Sequence, residues 1–370
     1  MKSSNSTAII HLDGQPNSHR QRRRFYTTYA DATRFVTEVF LNFLEGRAGT
    51  GWFTHVSYIR PHPPFSVPEP FASLVAPAET SAPARLPTLA EEQAQHPLMA
   101  LAYERATKEK FVTGQGDASA SEWTEAEVAE LRAIYHGMQA EVDAEIGRII
   151  DHLKRSGDYE NTLIVFTSDH GEMLGDHYLF GKFGYFDAAV HIPLIIRAPG
   201  ANQTRSTRVD RFTEAVDVMP TILDILGREI PSQVDGRSLA PFLGGDVPAT
   251  WRREAHWEMD FRDVVDGKPE HELGLALDDC QFAVLRGERY KYIHFPGLPA
   301  LFFDLQRDPN EFVDRASDPE YRDLVLDHAQ KMLSWRMTHA DRSLTGMIAA
   351  PQGLVSRSHA ERQQRSLKTT

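Results

Sequence analysis

Cysteine is nearly absent: Cys280 stands alone in 370 residues, so neither an intrachain disulfide nor a cysteine-rich zinc module can form. Long apolar runs are missing too. Residues 162–168 and 192–196 are strand-sized, far short of a membrane span. Positive charge is in deficit, with 40 Lys and Arg against 52 Asp and Glu and a net charge of −12, which excludes a broad electrostatic nucleic-acid surface. The opening Met1-Lys2-Ser3-Ser4-Asn5 leads into no apolar signal core, because Ala8-Ile9-Ile10 ends at His11. The expectation is therefore a soluble, cytoplasmic protein with no nucleic-acid or membrane partner, although a shortened start would have removed any signal. What is present is ordinary: 22 Pro, 24 Gly, 10% aromatic and 25% charged residues exclude collagen-like, coiled-coil and wholly disordered readings. The length suits two domains, or one large α/β domain with an appendage. Sixteen histidines are the one compositional hint of site chemistry.

Along the chain, residues 8–12 read as a short strand, followed by a turn at Asp13-Gly14 and a solvated basic run over 19–24. Residues 29–46 predict a helix, with Ala32, Phe35, Val36, Val39, Phe40 and Phe43 at helical spacing and Gly46 as its stop. The aromatic, β-branched stretch 52–58 predicts a strand running into Arg60-Pro61-His62-Pro63-Pro64-Phe65, where the prolines enforce a stiff loop. Residues 66–121, rich in Pro, Ala, Ser and Glu, read as a long surface excursion. The clearest helix spans 124–156: apolar residues recur every three or four positions, Thr124 with Glu127 makes a capping box, and Gly157 follows. Residues 162–168 predict a strand buried on both faces of a parallel sheet, 193–197 a second buried strand, and 213–227 a helix. Beyond Trp251 the texture changes to short strands over 282–286, 290–295 and 301–305, an antiparallel sheet closed by a helix near 321–338. The tail after Ala350 is polar and basic and reads as disordered.

Chemistry converges on Ser168-Asp169-His170-Gly171-Glu172-Met173-Leu174-Gly175-Asp176-His177. Asp169 and His170 follow directly on a strand, and Gly171 lets the backbone turn so that both face one point. That point lies beyond the carboxyl end of a strand, the preferred site position of open α/β folds. A carboxylate beside an imidazole suits a divalent cation without choosing among Zn, Mn, Mg and Ca. Lys182, in Phe180-Gly181-Lys182-Phe183-Gly184, is placed to neutralise an anionic ester or its leaving group. Asp176 and His177 admit both a supporting and a merely structural role.

These residues resemble a family. The stretch from Asp169 to His177, followed by Gly181-Lys182, is similar to the C-terminal signature of sulfatases. More narrowly, it resembles the phosphonate monoester hydrolase branch of the alkaline phosphatase superfamily. Leu12-Asp13-Gly14-Gln15-Pro16-Asn17, Arg60-Pro61-His62-Pro63-Pro64, Glu141-Val142-Asp143, Ile192-Pro193-Leu194-Ile195-Ile196, Val218-Met219-Pro220-Thr221-Ile222-Leu223, Gly236-Arg237-Ser238-Leu239 and Arg289-Tyr290-Lys291-Tyr292 resemble that branch in its order. The resemblance implies an α/β, alkaline-phosphatase-like fold. A mixed, mostly parallel sheet flanked by helices, incomplete at the N-terminus, would occupy residues 1–250. A C-terminal antiparallel α+β subdomain would span 251–345 and a polar tail 346–370. It further implies Asp169 and His170 as ligands of a divalent cation (Ca, Mn, Mg or Zn). His62 and Lys182 would be the catalytic groups that contact a small anionic ester or protonate its leaving group.

The family's nucleophile is a formylglycine made from cysteine in Cys-x-Pro/Ser-x-Arg. Cys280, in Cys280-Gln281-Phe282-Ala283-Val284, lacks that pattern and reads as a core residue. Ser81-Ala82-Pro83-Ala84-Arg85 matches a serine version by letter but lies on the wrong side of the family order. The first-strand acidic ligands are not found either, and two donors supply only part of a hard cation's shell. The chain reads as the C-terminal two-thirds of an ester hydrolase, weakly active or inactive alone, with an uncovered apolar sheet edge. The alternative is a non-catalytic remnant that binds metal or oxyanions.

Overall fold

The computed structural model describes residues 30–47, 51–200, 207–231, 233–263, 267–339, 347–350 and 353–356. The expected first strand, its turn, the basic run and the Leu12–Asn17 motif lie outside the described residues.

Helix α1 (Ala30–Glu45) forms where the apolar spacing places it. Its Phe40 and Leu44 pack onto Ile149 and Leu153. The stretch 52–58, expected as a strand, carries no strand pairing. No strand runs beside it among the described residues. Trp52, Val56 and Tyr58 instead lay their apolar surface on the α1 cluster, and the Tyr58 hydroxyl meets Thr37 Oγ1 at 2.9 Å.

Residues 66–121 depart most from expectation, because they are not a surface excursion. They hold α2 (Leu89–Gln93) and α3 (Pro97–Arg105), and Leu98, Met99, Leu101, Ala102 and Tyr103 sit in the largest core cluster. Pro97 opens α3 rather than breaking it, since a helix's first N–H needs no intrahelical partner. His96 caps it, its Nδ1 accepting from the Leu98 N–H at 3.3 Å.

The long helix α4 (Glu125–Ser156) matches its prediction at both ends. Thr124 Oγ1 accepts from the Glu127 N–H, the Glu127 carboxylate takes the Thr124 N–H at 2.7 Å, and Gly157 turns left-handed at φ 82°. Midway, a Cβ on Gly137 would lie 2.4 Å from the Phe71 carbonyl oxygen, so glycine there admits the 66–72 segment against the helix.

Strands β1 (Ile164–Thr167) and β2 (Leu194–Arg197) pair antiparallel, Phe166 opposite Ile195. The 162–168 strand, expected to be buried on both faces of a parallel sheet, thus pairs antiparallel here, and 193–197, expected as a second buried strand, is partly exposed. Ile164 packs on the α1–α4 cluster, while Phe166 is 36% and Ile195 62% exposed. An apolar run is buried on two faces only when layers flank it on both sides, and the described residues cover one. Helix α5 (Asp187–Val190) lies between the two strands in the chain, and α6 (Val218–Ile225) follows them.

Four strands form the second sheet in the order β3 (Glu254–Asp260), β4 (Gln281–Gly287), β5 (Tyr290–His294) and β6 (Leu301–Asp304), antiparallel throughout. Strand β3 was not anticipated; the other three and the closing helix α7 (Arg322–His339) were. The period of two is visible in the packing. Phe282, Val284, Ile293 and Phe303 face α3 and its cluster, whereas Ala283, Leu285, Tyr292 and Phe302 face Tyr321 and Met332 at α7. Cys280 is fully buried here, and burial pushes its thiol up, as a core residue requires. Within the tail, β7 (Met347–Ala350) and β8 (Gly353–Ser356) pair antiparallel, so residues 353–356 are ordered where disorder was expected. No helix among the described residues is long and apolar enough to cross a membrane.

Candidate active site

The loop leaving β1 lies against α5. The Gly171 N–H donates to the Ala189 carbonyl at 2.8 Å and the Glu172 N–H to Ala188 at 3.1 Å. A Cβ at Gly171 would stand 2.0 Å from the Ala188 oxygen, so only glycine allows this approach. Held in this way, Asp169 and His170 do converge. The His170 N–H donates to Asp169 Oδ1 at 3.0 Å, and Asp169 Oδ2 lies 3.4 Å from His170 Nε2. The carboxylate is 83% exposed.

The imidazole's protonation follows from its partners. His170 Nδ1 lies 2.8 Å from the Gly171 carbonyl oxygen, which can only accept, so Nδ1 carries the proton. Nε2 then presents a lone pair, and the Lys182 ammonium donates to it at 2.6 Å. Lys182 is brought in by its neighbours: the Met173 N–H donates to the Gly181 carbonyl at 2.9 Å, and the Gly181 N–H donates to the Glu172 carboxylate.

His62 approaches from the proline-rich loop. Its Nδ1–H donates to the Pro63 carbonyl at 2.6 Å, leaving Nε2 without a hydrogen bond among the described residues. The loop is fixed onto α4 by the buried Arg60–Glu141 pair at 3.1 Å and by Phe65, edge-on to Tyr135 at 5.9 Å. No hydrogen bond or ion pair joins His62 to Asp169, His170 or Lys182; its charge is felt at Glu172. Burial pushes the Glu172 carboxyl above the ordinary range, against the N–H groups of Gly181, Leu174 and Met173 and the charge of His62. Tyr135 is pushed up to about 12 by burial and by the carboxylates of Glu172 and Asp169. Glu172 and Tyr135 therefore belong to the site's electrostatics, and sequence reasoning gave neither a role.

Asp176 and His177 turn away into structural work. Asp176 accepts from Arg132 and from the Ala84 N–H at 2.8 Å. His177 is 4% exposed, bonded to the fully buried Glu92 at 3.1 Å and stacked on Phe186 at 3.8 Å. Ser81 belongs to the same clamp, its hydroxyl accepting from Arg132 at 3.0 Å. With a guanidinium as partner and no base beside it, Ser81 is not a nucleophile.

Among the described residues no cluster of three or more His, Cys, Asp or Glu is placed to hold a metal. The Asp169–His170 pair does fit as part of a divalent shell. Its carboxylate is open, its imidazole has the tautomer a metal requires, and a cation, the Lys182 ammonium, already sits on the Nε2 lone pair.

The family model for sulfatases matches residues 9–228. The chain belongs to the sulfatase family. A second family model, N-sulphoglucosamine sulphohydrolase C-terminal, matches residues 175–338. Among curated relatives, the multifunctional alkaline phosphatase superfamily protein PehA of Trinickia caryophylli is 44% identical over 93% of this chain and 66% of its own length. An arylsulfatase of Clostridium perfringens is 26% identical over 90% of this chain and 63% of its own. The phosphonate monoester hydrolase of Agrobacterium radiobacter superposes with a TM-score of 0.84 at 46% identity, over 88% of this chain and 64% of that one. That of Silicibacter pomeroyi gives 0.85 at 38%, over 92% and 72%. The expected alkaline-phosphatase-like architecture and the superfamily are thereby established. The chain spans just under two thirds of the length of both curated relatives.

Proposed function

We propose that Asp169, His170, Lys182 and His62 form the cation and leaving-group side of a site that hydrolyses small sulfuric, phosphonic or phosphoric esters. The observation that carries this is the His170 tautomer: Nδ1–H is locked on the Gly171 carbonyl, and the Nε2 lone pair is aimed at a cation. Asp169 and His170 would hold a divalent ion, which when bound polarises the ester's oxygens and neutralises their charge. Lys182 neutralises charge that develops on the leaving oxygen, and His62, once its free Nε2 has taken up a proton beside the Nδ1–H held by Pro63, would deliver that Nε2 proton to it. The attacking group is not Cys280 or Ser81 and comes from a segment beyond those described. This reading rests on the incomplete coverage of the relatives' lengths and the lack of a Cys-x-Pro/Ser-x-Arg match in the sequence. Alone, the chain is then weakly active or inactive.

The test uses the polypeptide isolated from its own cells, weighed intact and assayed on 4-nitrophenyl sulfate and phenyl phosphonate esters with Ca, Mn, Mg or Zn. A mass above 41.7 kDa with metal-stimulated turnover, abolished by Asp169→Ala, is the expected result. A mass of 41.7 kDa with no turnover above blank overturns it. Calorimetric binding of sulfate or phosphate would then leave an oxyanion-binding remnant.

A further inference from the structure

Outside the site, a group of paired charges lies between α5 and the four-stranded sheet. Lys291 of β5 is fully buried, with its ammonium 3.0 Å from Asp187 Oδ1 and 2.9 Å from Glu311 Oε1. Arg286 of β4, its cross-strand partner, donates from Nε to Asp187 Oδ2 at 3.1 Å. Two cations and two carboxylates thus balance. Burying a lysine this completely is costly unless each of its donors is matched.

Asp187 is more than a counter-ion. It begins α5, whose next two residues supply the carbonyls that hold Gly171 and Glu172. Phe186, the preceding residue, is held by the His177 ring. The start of α5 is therefore gripped twice, and its other end grips the loop carrying Asp169 and His170. We propose that Lys291, with Arg286, is a positioning residue for the candidate active site. Through Asp187 and α5, the C-terminal sheet sets the placement of the Asp169–Lys182 loop. The catalytic meaning of this rests on the hydrolase reading; the mechanical coupling does not.

Amide hydrogen exchange on the full chain tests it. Lys291→Met is expected to speed exchange at Gly171 and Glu172 about tenfold while the amides pairing β4 with β5 stay protected. If Lys291→Met fails to fold, Arg286→Gln, at a quarter-exposed side chain, takes its place. In an active preparation, kcat falls about tenfold with KM nearly unchanged, as expected when an interaction made only in the transition state is weakened. Unchanged protection at Gly171 and Glu172 in a folded variant, or equal acceleration throughout the sheet, would overturn the proposal. If the polypeptide from its own cells has a mass of 41.7 kDa and no turnover while the local exchange response persists, the hydrolase reading falls and the coupling stands.

Discussion

Arg60 and Glu141 illustrate what a single buried contact does for this site. Both side chains are 6% exposed, and they meet at 3.1 Å. Burial pushes Glu141 up and Arg60 down, against their mutual attraction. The pair is thus costly to bury, yet it fixes the loop that presents His62. Glu141→Gln should lose about 3 kcal/mol, because it leaves a buried guanidinium without its counter-charge. The double variant Arg60→Met/Glu141→Met should recover most of that loss in urea denaturation. A double variant no better than the single one would show that the loop needs the charges themselves. At this scale the sequence was informative wherever neighbours in the chain are neighbours in space: Asp169, His170 and Lys182 share one short loop. Glu172 stood in the quoted motif, but its meaning came from His62, which the chain brings in from a different loop. Tyr135 looked like any helix residue, and only its position over that loop gives it a part.

Elements were legible where two independent signals coincided. Helix α4 had apolar periodicity together with a capping box and a stop glycine, and both of its ends fell where expected. Helix α3 had neither signal: nine residues, apolar nearly all round, opened by a proline. Its burial comes from the sheet on one side and the 173–189 segment on the other, contacts made by residues distant in sequence. His96 at its cap yields a pH prediction. The ring stacks on Phe295 at 4.5 Å, and its Nε2–H donates to the Pro299 carbonyl at 2.9 Å. Burial therefore holds its pKa below the ordinary 6.5. The unfolded chain then binds the proton more readily, so the stabilisation is complete above 6.5 and is lost as pH falls through that value toward the depressed one. Unfolding free energy measured by urea should drop as pH falls below 6.5, and His96→Gln should flatten that slope. An unaltered slope in the variant would assign the acid sensitivity to other groups.

At the scale of the whole molecule, the order of motifs along the chain identified the architecture, while the pairing of β1 and β2 could not be read from composition. A run such as Leu163-Ile164-Val165-Phe166 records apolarity and says nothing about which layers are present to cover it. The outcome is a cross-strand pair, Phe166 and Ile195, open to solvent. Strand faces of this kind associate. Ile195→Lys should reduce self-association in light scattering at high protein concentration and change stability by no more than about 0.5 kcal/mol. Equal association in both forms would move the sticky surface elsewhere.

The salt-bridged joint between α5 and the far sheet also fixes an order of events in time. Asp187 precedes Arg286 by 99 positions and Lys291 by 104. A ribosome adding about 5–20 residues per second exposes the loop roughly 5–20 s before the strands that fasten it. Throughout that interval the nascent chain carries Asp169, His170 and Lys182 without the anchor that aligns them. The candidate site is consequently completed late, only after the strands that carry Arg286 and Lys291 have followed its own loop out.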